Sequence, residues 1–135
     1  MNPNTWLRLA RLVAACAGLL DSLTGVGLML APGLTLRAML VPAPGPEALI
    51  YVRFIGCFVA AVGGSYLLAL RRGGPRELRA MLGYTLVFRL AAGLFTAAAV
   101  FSGALTLPWL TVTATDLLLV AVQTWLLRAS KAQDE

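Results

Sequence analysis

Histidine is absent from this chain, cysteine occurs only at Cys16 and Cys57, and charged residues make up 13% of the whole. Without an imidazole there is no histidine-ligated haem or chlorophyll, no Glu-x-x-His di-iron site and no histidine-containing zinc site. Two thiols so far apart in sequence form no Cys-x-x-Cys redox pair. Each sits in an apolar run, where a thiol serves as a small hydrophobe. Val13-Ala14-Ala15-Cys16 has the look of a lipoprotein cleavage box, but four residues separate Arg11 from Cys16, too few for a signal peptide's apolar segment of roughly 7–15 residues. That segment is therefore expected to be retained as helix. The shortage of charge is itself informative, because an ordinary soluble domain carries roughly 25% charged residues.

What replaces charge is hydrocarbon. Of the 135 residues, 59% are apolar and another 13 are glycine. A water-soluble globule of this length cannot hide that much apolar surface, so the composition excludes a soluble enzyme, a disordered chain and a secreted disulfide scaffold. An integral membrane protein remains.

Apolar stretches of about 20 residues are long enough to cross roughly 30 Å of hydrocarbon as helices. The chain offers four, at about 10–30, 48–70, 80–101 and 107–127. Ala31-Pro32-Gly33, Arg71-Arg72-Gly73-Gly74-Pro75 and Ser102-Gly103 separate them. No prolines fall inside the spans except at a first turn, as at Pro108, where the missing N–H costs little. The expected fold is all-α: a single transmembrane domain over residues 1–135, built as an up-down-up-down four-helix bundle. The first outer connection, Pro32 to Pro46, holds four of the seven prolines around Leu34-Thr35-Leu36-Arg37-Ala38-Met39-Leu40. Leu36, Met39 and Leu40 can share one face of a short interfacial helix, with Arg37 pointing away. Such a helix either caps the bundle or serves as a lid over a cavity.

Cations set the orientation, since short loops rich in Lys and Arg stay in the cytoplasm. Arg8, Arg11, Arg71, Arg72, Arg76, Arg79, Arg128 and Lys131 share one side, and only Arg37 lies on the other. Both termini are thus expected in the cytoplasm, in a multi-pass protein of a cell inner membrane. Trp6 and Trp125 fall at the inner interface, Tyr51 and Trp109 at the outer. The formal charge of +5 lacks the aromatic interleaving of a nucleic-acid surface, so the expected partner is anionic lipid at the cytoplasmic face and not nucleic acid.

One ionisable residue lies on each span: Asp21, Arg53, Arg89 and Asp116. Each costs roughly 2.5–3.5 kcal/mol at a helix centre, which favours mutual pairing. Asp21 is 10 residues past Arg11, Arg89 is 10 past Arg79 and Asp116 is 12 before Arg128. At about 1.5 Å per residue all three sit roughly 15–18 Å deep, a single layer near the midplane. Arg53, 18 residues from Arg71, lies nearer the outer interface, from which it either snorkels outward or bends its fork toward Asp21. The layer reads as structural glue or as a ligand or proton site. Small residues share these faces. Gly18 joins Ala14, Asp21, Ser22 and Gly25 on the first span, and Gly56, Ala60 and Gly64 form a small-xxx-small packing stripe below Arg53 on the second.

Tyr51-Val52-Arg53-Phe54-Ile55-Gly56 running into Gly63-Gly64-Ser65-Tyr66, within a four-span plan over nearly the whole chain, resembles the DoxX-like small bacterial membrane proteins. The resemblance implies a four-helix inner-membrane protein, in a group of which a few members are associated with quinone-linked sulfur oxidation or redox complexes. In DoxX itself an Arg-x-x-Gly element is expected early in the first helix. Here it lies in the second, so no catalytic residue is carried over. With no nucleophile–base pair and no metal constellation, the chain is expected to be non-catalytic, with neither cofactor nor metal. The leading expectation is an accessory or self-associating membrane subunit with a charge-paired interior, as a homo-oligomer or within a larger membrane complex. The alternative is binding or transport of a small lipophile, such as a quinone or lipid, through Arg53 or Arg89.

Overall fold

A computed structural model describes residues 2–131; the side chain of Lys131, counted above among the inner cations, lies outside the described residues. The described chain is helical, without strands: α1 (Pro3–Leu30), α2 (Pro32–Ala38), α3 (Leu49–Arg72), α4 (Pro75–Phe101) and α5 (Leu110–Lys131). Single 3-10 turns, Pro46–Ala48 and Leu107–Trp109, lead into α3 and α5. Four of the helices, each counted with its leading turn, are long and apolar enough to cross a membrane.

Several helices begin well before the apolar runs do. α1 starts at Pro3 and not near Ala10, because Asn2 caps it, its side chain accepting from the Asn4 N–H at 2.9 Å, and Pro3 presets the first turn. α4 likewise starts at Pro75, with Glu77 in its first turn, where a carboxylate favours the helix dipole. Helix propensity and capping thus carry the chain past the ends of the hydrophobic windows.

α1 packs chiefly on α3, and α4 on α5; α1 also reaches α4 and α5, while α3 and α5 meet through long side chains, Tyr66 and Gln123. Glycine makes the first contact possible. A Cβ on Gly18 would lie 2.9 Å from the Tyr66 Cβ, and one on Gly56 would lie 2.8 Å from the Gly25 carbonyl oxygen. Gly25 sits against the backbone of Ala60, and Gly63 against the backbone of Ser22. The two helices run antiparallel, since Gly18 is paired with Gly63 and Gly25 with Gly56.

The stripe on α3 therefore runs Gly56, Ala60, Gly63, and the placement of Gly64 on it is corrected: a Cβ there would meet nothing within 4 Å, and the residue is exposed. At 3.6 residues per turn a seven-residue step returns about 20° off its starting direction, whereas eight residues overshoot by about 80°.

Two apolar clusters occupy opposite ends. Trp6, Ala10, Ala14, Ala17, Tyr66, Leu78, Leu82 and Leu126 close the end where the chain begins. Leu28, Leu36 and Val41, with Trp109 against them, close the other. Trp6 is a core residue there and not a lipid-facing anchor: it is 2% exposed, its indole N–H donates to the Leu126 carbonyl at 2.9 Å, and the Arg79 guanidinium lies over its ring at 5.6 Å.

The short helix in the first connection exists, but Leu40 does not share its buried face. α2 ends at Ala38, Leu40 takes φ +61° and is exposed, and Val41 is buried against Leu36 instead. Away from the charged helix ends the outward surface of the long helices is mainly apolar, with Leu23, Phe54, Phe58, Phe88, Phe95 and Leu118 all exposed. Hydrocarbon on the outside and a thin interior suit a lipid solvent.

Candidate functional site

Between the two apolar clusters lies a polar layer centred on Arg89, a residue with its side chain 5% exposed. Each of its three nitrogens is engaged. Nη2 donates to Asp21 Oδ2 at 2.6 Å, Nη1 to Asp116 Oδ1 at 2.8 Å, and Nε to the Tyr66 hydroxyl at 3.3 Å. The guanidinium also lies 5.7 Å from the centroid of the Tyr66 ring. Four helices thus meet on one cation: Asp21 comes from α1, Tyr66 from α3, Arg89 from α4 and Asp116 from α5. A planar guanidinium can serve several acceptors at fixed angles, which an ammonium cannot.

The small residues beside the charges explain why the layer can form. Gly93, one turn past Arg89, lets α5 approach until its missing Cβ would touch Asp116 and Leu117 at 3.3–3.4 Å. Gly18 and Gly63 do the same for α1 and α3, bringing Asp21 within reach.

Hydroxyls and one amide extend the layer along the interior. Tyr66 donates to Thr85 Oγ1 at 2.7 Å, and Thr85 donates to the Met81 carbonyl at 2.8 Å. The Gln123 side-chain amide donates to the Tyr66 hydroxyl, and its carbonyl oxygen, wholly buried, has no partner. Further along, Thr96 and Thr113 share a hydrogen bond of 2.8 Å across α4 and α5. Thr85 and Thr96 stand at helical spacing from Arg89 on α4, and Thr113 and Gln123 at helical spacing from Asp116 on α5. Tyr66 as the hub was missed, although it lies three residues beyond Gly63 and so on the same side of α3.

Arg53 is not part of this layer. Its Nη1 donates to the Met29 carbonyl at 2.6 Å, beyond the end of the α1 hydrogen-bond ladder, and it makes no ion pair among the described residues. It lines an open, apolar groove of about 540 Å³ with Met29, Ile50, Tyr51, Phe54 and Cys57. The four spanning charges therefore divide into a triad of two carboxylates with one guanidinium, and a lone guanidinium near the α2 end. No three His, Cys, Asp or Glu side chains converge among the described residues.

No family model, curated protein or solved structure matches this chain.

Proposed function

We propose that this chain is a non-catalytic integral membrane protein that works by lateral association, either with a second copy or within a larger membrane complex. In this reading the helices form an up-down-up-down bundle of DoxX-like plan in a bacterial inner membrane, with both termini in the cytoplasm. The observation that carries it is the outward face of α3. Cys57, Ala61 and Gly64 are exposed, successive residues four and three apart, and the space over Gly64 is open. A small-residue stripe turned toward lipid lets a second helix approach closely, and in hydrocarbon that close packing is a main source of association energy. The inward stripe of Gly56, Ala60 and Gly63 is already used within the chain, so only the outward one is left for a partner. Oxidative crosslinking through Cys57, in a Cys16→Ser background in native membranes, is expected to trap a dimer or a defined larger complex. Recovery of the monomer alone would overturn the association reading.

A second reading is favoured by Arg53, whose only partner in the described chain is a backbone carbonyl. A groove of about 540 Å³ is of the size that holds small molecules, roughly 300–1,000 Å³. A quinone or lipid carbonyl or phosphate on Arg53, with its apolar body against Phe54 and Ile50, suits these walls. Binding of a quinone or lipid analogue by the native protein in nanodiscs, lost in Arg53→Gln, would place this reading first.

A further inference from the structure

Asp21 and Asp116 are held on the two terminal nitrogens of one guanidinium, with no second cation paired to either among the described residues. If both carboxyls were ionised, the layer would carry a net charge of −1 in the interior of a protein whose surroundings are hydrocarbon. Like charges this close, in a medium of low polarity, do not both ionise. The cation that would have balanced them, Arg53, bonds instead to the Met29 carbonyl.

The donors tell the same story independently. Each carboxyl accepts one N–H through one oxygen, leaving Asp21 Oδ1 and Asp116 Oδ2 without a hydrogen bond. Tyr66 spends its proton on Thr85 and accepts from Arg89 and Gln123, so its hydroxyl is saturated. Gln123, with none of its surface exposed, keeps an acceptor, Oε1, that no donor serves. Three acceptor atoms of the network, Asp21 Oδ1, Asp116 Oδ2 and Gln123 Oε1, thus receive no hydrogen bond among the described residues.

We propose that the Asp21–Arg89–Asp116 layer is a one-proton site. One proton from the aqueous phase bonds to the carboxyl oxygen that Arg89 does not hold, on Asp21 or Asp116, and the layer becomes neutral: one carboxylate, one guanidinium, one carboxylic acid. The charged and titratable groups facing it are Asp21 from α1, Tyr66 from α3, Arg89 from α4 and Asp116 from α5. Both aspartate side chains retain 13% exposure, against 5% for that of Arg89.

Infrared spectroscopy of the full chain in a detergent without ester carbonyls tests this directly. At pH 7 in potassium buffer, the carboxylic-acid carbonyl stretch, identified by its shift in heavy water, is expected at an intensity of one group per chain. Asp21→Asn and Asp116→Asn should each abolish it, because the remaining carboxylate then balances Arg89 one to one. Glu47→Gln should leave it unchanged. No acid band in the native protein, which decides the matter whether or not the variants fold, would overturn the proposal. So would a band that survives in either asparagine variant, or one that disappears when sodium replaces potassium, since a bound metal cation would then be the balancing charge.

Discussion

Arg89 is the residue on which the interior depends, because it donates to the side chains of both Asp21 and Asp116 and to the hydroxyl of Tyr66. Arg89→Leu strands both acids and is expected to lower stability by about 3–5 kcal/mol, read as the unfolding free energy in mixed micelles. Adding Asp21→Asn and Asp116→Asn to Arg89→Leu should recover part of that loss. Strictly additive effects would show that the three side chains do not act as a unit. Tyr66→Phe keeps the ring beneath Arg89 but removes the hydroxyl that serves Thr85, Arg89 and Gln123. It leaves a buried amide unpaired and is expected to cost about 1–3 kcal/mol in the same assay, with the helical circular dichroism unchanged.

At the scale of single elements, the two faces of α3 make opposite demands on glycine. Gly63 abuts the backbone of Ser22, so Gly63→Leu must push α1 away and should destabilise the monomer by about 1–3 kcal/mol or more. Gly64 looks into open space. Gly64→Leu should therefore leave monomer stability intact while weakening association about tenfold, or ~1.4 kcal/mol, as measured by subunit photobleaching in bilayers. If Gly64→Leu leaves association untouched, the outward stripe is not the interface. α2 ends in a different device. The Val41 N–H bonds back to the Leu36 carbonyl at 2.9 Å and the Leu40 N–H to that of Arg37 at 3.0 Å, with Leu36 and Val41 in apolar contact. This is the Schellman arrangement, which places the residue between them in left-handed conformation, usually a glycine. Here it is Leu40, at φ +61°. A branched side chain there costs about 1–2 kcal/mol, so Leu40→Gly is expected to strengthen the cap by about 1 kcal/mol. Slower hydrogen exchange at the Leu40 and Val41 amides would register the gain.

For the molecule as a whole, four helices are long and apolar enough to cross a bilayer, and the cation distribution sets the orientation expected of them. Arg8, Arg11, Arg71, Arg72, Arg76, Arg79, Arg128 and Lys131 outnumber Arg37 eight to one. Reporter fusions after Glu135 and within Pro42 to Pro46 should accordingly give opposite signals, cytoplasmic for the first and external for the second. Equal signals would sink the four-span orientation.

The four helices of spanning length, the breaks between them and the convergence of Asp21, Arg89 and Asp116 were legible in the sequence. Each depends on local quantities: the hydropathy of a run, a proline or glycine at its end, and a fixed rise per residue. What lay beyond reach depends on how each helix is rotated about its axis and which neighbour it faces. Arg53 and Arg89 are both intramembrane cations on paper, yet only Arg89 stands where Gly18, Gly63 and Gly93 allow the helices close enough for both acids to reach it. Gly63 and Gly64 are adjacent and chemically identical, and a rotation of about 100° per residue sends one into the α1 contact and the other out toward lipid. Leu40 was placed on a helical face that the chain leaves two residues earlier, because burial of Val41 against Leu36 outweighs the strain of a left-handed leucine. Sequence determined the length and apolar character of the helices and the position of each charge along them; tertiary packing alone decided which charges meet, because pairing is a property of faces, and faces are set by contacts between helices.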